Sequence, residues 1–396
     1  MSDLRSELRA LPREAWILFF GTFLNRFGSF VHPFLVLYLG SKGYGAAAGG
    51  LALGAYGVGH GISSLVGGWL ADRIGRRNSI AISMFSSAGA MLALSQAETY
   101  WTIVGLATLA GIAAELYRPA ASALLGDLTP TGHRVIAFAT YRLAINAGFA
   151  FGPATAGFLA KYSFTWLFVG DAITSVLFAI VALVALPHGL RSAKGDSGWL
   201  PALRHARADR RFLGFLAASM ISAIAFFQFE STFALHVIDA GFSAATYGAL
   251  VSLNGFLIIF LELPIASMTR RTSRPRAVMA LGYAFVGIGF AVNIFAFSIP
   301  LMVLSVVIWT IGEMTNAPLG GAYVSDLAPP DLRGRYMGLW AITWSVGLTL
   351  GPALGTVIYA SSPTAVWVLA LVCGLTAAAI MYEKKGAEEP VISTEY

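Results

Sequence analysis

Apolar runs of about 20 residues, the length of a bilayer-crossing α-helix, recur along the whole chain. Twelve spans are predicted: 15–39, 46–71, 79–97, 101–127, 136–160 and 164–187, then 210–235, 246–268, 277–297, 300–326, 335–358 and 364–383. Only 12% of the 396 residues are charged and 57% are hydrophobic, with a mean hydropathy of +0.71. A soluble domain of this size would need far more charge to cover its surface, so most of the outside is expected to face lipid. The first run has no small-residue cleavage site behind it and is too long for a signal peptide, so it is read as a helix. The short alternating segments of a closed β-barrel are absent. The expected fold is an all-α membrane protein.

Basic residues set the expected orientation. With the N-terminus inside, 21 of the 26 Lys and Arg residues fall in cytoplasmic segments, and only Lys42 and Lys161 fall outside. The expectation is a multi-pass cell-membrane protein with both termini cytoplasmic. The net charge of +6 then reads as an orientation signal beside an anionic leaflet, and no nucleic-acid partner is expected. The one cysteine, Cys373, excludes an internal disulfide and argues against a metal cluster. Neither a nucleophile–base set nor a Walker sequence is present, so an enzyme, a cofactor and ATP drive are not expected.

The polar stretch 188–211, read as a cytoplasmic linker with a short amphipathic helix, divides the spans six and six. The expected domains are therefore 1–187 and 212–396. Shifting the sequence by 199 residues lays Pro119 to Pro153 on Pro318 to Pro352 without a gap. Pro119 meets Pro318, Asp127 meets Asp326, Pro130 meets Pro329 and Arg134 meets Arg333; Gly148 meets Gly347, and Gly152-Pro153 meets Gly351-Pro352. A parallel duplication of six helices predicts two pseudo-symmetric halves about an axis along the membrane normal, a geometry suited to alternating access around a shared cavity.

Between spans two and three stands Gly67-Gly68-Trp69-Leu70-Ala71-Asp72-Arg73-Ile74-Gly75-Arg76-Arg77. It resembles the cytoplasmic loop motif of the major facilitator superfamily. The run Gly148 to Gly157 resembles that family's antiporter-associated glycine–proline motif, and the whole is closest to the drug:proton antiporter branch. The resemblance implies a gating role for Gly68, Asp72, Arg73, Gly75, Arg76 and Arg77. In the family, the acidic residue matching Asp72 caps helix eleven, and Arg76 would reach Asp127 at the end of helix four. The alternative is a solvated basic turn needed only for topology. The glycine–proline run has two readings as well, sealing against leak or tight packing alone; its recurrence at Gly347, Gly351 and Pro352 favours packing. Where family members often carry an arginine in helix four, this chain has Ala107.

Arg26, Glu115, Arg118, Arg142, Asp171, Glu230, Glu262 and Glu313 fall within spans, where charges are costly and need a cavity or a partner. Arg26, Glu115, Arg118 and Glu313 lie near mid-span. Asn25 and Arg26 in helix one suit a carboxylate-bearing substrate; equally, Arg26 can pair with Glu115. Glu115 and Arg118, spaced i,i+3, can also pair. A carboxylate held by a cation stays ionised, whereas one among aromatic side chains can take up a proton. Glu313, expected on a face with Trp309 and Asn316, and Glu230, expected on one with Phe226 and Phe233, are thus the candidate proton carriers. A buried carboxyl held by cross-helix hydrogen bonds is the alternative for each. Asn25, Arg26, Glu115, Arg118, Phe226, Trp309 and Asn316 are the candidate substrate contacts. His32 and His60 are read as packing or polar-network residues before switches. The expected function is proton-coupled efflux of small amphipathic molecules by a monomer in the lipid bilayer. The alternative is proton-coupled uptake of a small metabolite or peptide; a receptor retaining the fold without transport is disfavoured.

Overall fold

The structure, a computed structural model, describes residues 8–130, 133–188, 200–269, 272, 274–329 and 332–382. Among them all regular structure is helical. Ten helical stretches are long and apolar enough to cross a membrane, from Arg76–Ser95 to Pro363–Met381. Two of the twelve expected spans are not among the ten. The helix Ala46–Ile74 is long, but its glycines dilute its apolar character.

The other is 15–39, predicted as one helix and found in pieces: α1 (Arg13–Gly28), a 3-10 turn (His32–Phe34) and α2 (Leu35–Ser41). Pro33 has no N–H to give to a helical ladder, which accounts for the turn. After α3 (Ala46–Ile74) and α4 (Arg76–Ser95), the fourth span is also divided, into α5 (Tyr100–Glu115) and α6 (Tyr117–Leu128). The ring of Pro119 would collide with the Glu115 carbonyl in a continuous helix, and the division falls at Leu116. Next come α7 (Arg134–Ala160), α8 (Thr165–Ala185) and the short α9 (Leu200–Ala208), which falls within the expected linker.

The seventh span, predicted as continuous over 210–235, is broken too: α10 (Arg210–Phe226), a 3-10 turn (Phe227–Glu230) and α11 (Thr232–Asp239). The chain ends with α12 (Ala244–Thr269), α13 (Pro275–Ala291), α14 (Ile299–Leu327), α15 (Arg333–Ser361) and α16 (Pro363–Met381). The helix starts at Arg76, Tyr100 and Arg134 recur 199 residues later at Pro275, Ile299 and Arg333, so the sequence repeat is also a repeat of helix boundaries.

The chain divides into two compact units. The first comprises Met1–Lys42, Leu51–Gly195 and Ser243–Phe256; the second comprises Gly43–Gly50, Asp196–Phe242 and Leu257–Tyr396. In the first, Leu18, Phe19, Met84, Tyr117, Leu124 and Phe178 anchor a buried core. In the second, Phe212, Phe215, Met279, Tyr323, Tyr336 and Met381 do so.

Candidate functional site

In the first unit, α3 and α5 cross where Gly59 and Gly111 oppose each other. A Cβ on Gly59 would run into the Thr108 carbonyl, and one on Gly111 into that of Tyr56. This contact brings His60 beside the end of α5, where Glu115 lies. From α1, Arg26 reaches the same carboxylate through both arms of its guanidinium, Nη1 to Oε1 at 2.9 Å and Nη2 to Oε2 at 3.1 Å. Arg118 Nη1 donates to Oε2 at 3.2 Å, and His60 Nε2 stands 3.7 Å from it. Arg26 and Glu115 are both 6% exposed, whereas Arg118 is 48% exposed. The Arg26 guanidinium also lies over the rings of Tyr117 and Phe149, at 5.7 and 5.8 Å. One carboxylate therefore faces two arginines and an imidazole. The arginine read from sequence as either free or paired is paired. Asn25 turns elsewhere, its amide donating to Met84 Sδ at 3.3 Å.

In the second unit a cavity of about 30 Å³, room for a water or two, is lined by polar Ser219, Ser222, Tyr283, Glu313 and Asn316 and aromatic Phe226, Trp340 and Trp344. Ser219 and Tyr283 share a hydrogen bond of 2.9 Å. Phe226 sits edge-on to Trp344 at 5.6 Å and to Trp309 at 5.8 Å, and Trp309 stacks on Phe290 at 5.6 Å. Asn316 packs onto Gly282, where a side chain would fall within 2.8 Å of its amide. Three predicted residues, Phe226, Glu313 and Asn316, thus meet at one cavity. Trp309, fully buried behind Phe226, is not in its wall. Its indole N–H has no hydrogen-bond acceptor among the described residues.

Glu230 needs a correction. Its predicted face with Phe226 and Phe233 assumed a continuous helix, but Phe227–Glu230 is a 3-10 turn, so i±4 spacing no longer puts those residues side by side. It is buried beside the break and does not line the cavity. Tyr283, on α13, and Trp340 and Trp344, on α15, were missed because uncharged aromatic residues within apolar spans carry no signal to flag them.

The loop motif is compact. α3 runs through Ile74, and Gly75 alone, at φ +91°, turns the chain into α4. Arg76 forms an ion pair with Asp127, as expected, and donates to the Ala123 carbonyl at 2.7 Å. Arg73 instead stacks over Trp69 at 5.1 Å. Gly68 has open space around it, and Arg77 is half-buried in the first turn of α4. The Asp72 side chain lies outside the described residues.

The sequence profile of the Major Facilitator Superfamily matches residues 18–261 and 232–395. The uncharacterized MFS-type transporter YqjV of Bacillus subtilis is 29% identical over 351 residues, 86% of this chain and 85% of that protein. The Na(+), Li(+), K(+)/H(+) antiporter of Planococcus maritimus is 24% identical over 368 residues, 83% of this chain and 85% of its own length. The quinolone resistance protein NorA of Staphylococcus aureus is 23% identical over 231 residues, 58% of this chain and 60% of NorA. Among solved structures, a peptide transporter POT in complex with sulfate superposes with a TM-score of 0.80 at 21% identity, over 93% of this chain and 94% of that one. The chain belongs to the Major Facilitator Superfamily, with similarity to its drug:proton antiporters, and is a multi-span membrane transporter rather than an enzyme.

Proposed function

We propose that this protein exports small amphipathic molecules in exchange for protons by alternating access. In this reading it is a monomer of twelve spans in the lipid bilayer, two pseudo-symmetric six-helix halves at 1–187 and 212–396 joined by a cytoplasmic linker at 188–211, with both termini cytoplasmic. The observation that carries the reading is the cavity of the second unit, where Glu313 and Asn316 share a wall with Phe226, Trp340 and Trp344. Aromatic faces take the apolar body of a substrate, and a carboxylate among them can carry a proton. Relatives named for quinolone resistance and for exchange of metal ions against H(+) support the direction and the coupling ion. The Arg76–Asp127 pair, with Gly68, Asp72, Arg73, Gly75 and Arg77 around it, would act as the cytoplasmic gate. Glu230, beside the break of helix seven, is the second candidate proton carrier.

Proteoliposomes with an imposed pH gradient and a panel of drugs and peptides test this. One pH unit supplies about 1.4 kcal/mol per proton, and 100 mV adds about 2.3. Glu313→Gln should abolish gradient-driven accumulation; uphill transport at the wild-type rate would remove Glu313 as the carrier and make Glu230 the next residue to test.

A second reading, proton-coupled uptake of a small metabolite or peptide, is supported by the Arg26–Glu115–Arg118–His60 cluster. A substrate carboxylate could compete there for the half-exposed Arg118. Accumulation along the proton gradient, not against it, would favour this second reading.

A further inference from the structure

Helices one and seven, broken near equivalent positions of the repeat, must satisfy the backbone groups that a break frees, because lipid offers no hydrogen bonds. The two repeats do so with different chemistry. In helix seven the neutral amide of Gln228 serves: its Nε2 donates to the carbonyls of Ile224 at 3.0 Å and Gly351 at 2.9 Å, and its Oε1 accepts from Thr232 Oγ1 at 2.9 Å. In helix one the corresponding work falls to a carboxylate. Asp171, on α8 and 6% exposed, faces the backbone N–H of Val31 and that of Phe30, which itself donates to the Gly28 carbonyl at 2.7 Å; Ser175 Oγ lies 3.5 Å from its Oδ1. α8 is pressed against the break. Gly28 has no side chain because Thr174 fills that space, and a Cβ on Gly170 would meet the Phe30 ring at 2.8 Å.

Burying a carboxylate is more costly than burying an amide, and in the second repeat an amide reaches the freed carbonyls: the 199-residue shift puts Ala370 opposite Asp171. What a carboxylate offers that an amide does not is a place for a proton. We propose that Asp171 is a proton-binding site of the transport cycle, whose protonation loosens the cap on the helix-one break. This rests on the proton-coupled reading above and adds a site in the first unit to the carriers Glu313 and Glu230.

The proton comes from solvent and adds to one carboxylate oxygen. That oxygen becomes a donor and can no longer cap an N–H, and the negative charge beside the break disappears. The charged and titratable residues on the elements around Asp171 are few. His32, buried within the break and stacked on Tyr56 at 5.5 Å, acts electrostatically on the carboxylate. On α1, Arg13 and Glu14 stand in the first turn and Arg26 is engaged by Glu115, and Tyr38 lies on α2. On α4, Arg76 and Arg77 stand in the first turn, with Arg76 held by Asp127. α7 carries Arg134, the buried Tyr141 and Arg142, and Lys161 caps its end.

The full-length protein, labelled with carboxyl-¹³C aspartate and reconstituted in lipid, is titrated by infrared difference spectroscopy. The label separates aspartate bands from those of Glu313 and Glu230. A labelled band of a protonated, buried carboxyl is expected on acidification of the wild type. It should vanish in Asp171→Asn, which keeps a capping oxygen, and move to the unlabelled region in Asp171→Glu. The second arm measures accumulation at a one-unit pH gradient. Each coupled proton contributes a factor of about ten, so Asp171→Asn should lower the steady-state ratio about tenfold. An unchanged labelled spectrum in Asp171→Asn overturns the site. Loss of the band with an unchanged accumulation ratio overturns its place in the cycle. A wild type that shows the band but no gradient-driven accumulation overturns the coupling reading itself and leaves Asp171 a proton site outside transport.

Discussion

Removing Glu115 should destabilise the protein far more than removing it together with Arg26. Arg26 is 6% exposed and holds Glu115 through two bonds of 2.9 and 3.1 Å. Glu115→Ala leaves that guanidinium buried without its carboxylate, a change that costs about 3–5 kcal/mol. The neighbouring rings of Tyr117 and Phe149 return part of this, about 0.5–2 kcal/mol. Arg118, 48% exposed, can turn to water and adds little. The expected net loss is therefore about 1–4.5 kcal/mol. The double variant Arg26→Met/Glu115→Met removes both charges and fills the space with apolar side chains, which is expected to cost about 1 kcal/mol or less. Denaturant unfolding in micelles, run as a double-mutant cycle with Arg26→Met and Glu115→Met, measures the coupling. Single variants each within about 0.5 kcal/mol of wild type, or a double variant that costs their sum, would refute the buried pair as a structural unit. If the double variant is stable but no longer binds substrate, the cluster's role lies in binding.

Two further outcomes follow from the geometry. Gly111→Ala drives a methyl into the Tyr56 carbonyl and should cost about 1–3 kcal/mol by overpacking, read as a lowered melting temperature; Gly105→Ala, on the same helix with open space around it, should not lower it. Arg76→Ala and Asp127→Ala should be non-additive by about 0.5–3 kcal/mol in a stability cycle, because each removes the same ion pair; strict additivity would count against the pair.

What could be read from the sequence depended on how far apart the interacting residues are. Helix register was legible, because apolar length and the 199-residue repeat are local signals. The starts at Arg76, Tyr100 and Arg134 and their later copies agree with the predicted spans to within a few residues. The breaks were not. Pro33 and Pro119 mark two of them in retrospect, but Phe227–Glu230 contains neither proline nor glycine. That break depends on Gln228 reaching a carbonyl 123 residues away, and nothing local announces it. The same distance hid the site. Arg26 and Glu115 are 89 residues apart, so composition could only offer pairing as one of two readings. Glu230 was placed on a helical face because the spacing suggested one, and the break removed it.

The glycine–proline run had two readings, and its geometry now bears on them. On α7, a side chain on Gly148 would meet Arg26 Cβ at 2.5 Å, and one on Gly152 would meet the Phe27 carbonyl at 2.8 Å. On α15, Gly347 and Gly351 lie as closely against Ala223, Ile224 and Phe227. In both repeats the small residues seat a long helix on the last turn before a break, which is packing, and its recurrence argues against a role confined to one repeat. The side chains it positions have diverged. In the first copy the turn carries Arg26 to Glu115 and precedes a break packed against the Asp171 helix; in the second it carries Phe226 to the aromatic cavity and precedes a break bridged by Gln228. A duplicated scaffold thus places a buried ion pair at this turn in the first copy and an aromatic cluster in the second. Glu313 and Glu230 both run against this division as carboxylates of the second unit, and Glu313 is the one in the cavity wall, which is why its replacement is the sharper test of the proposed coupling.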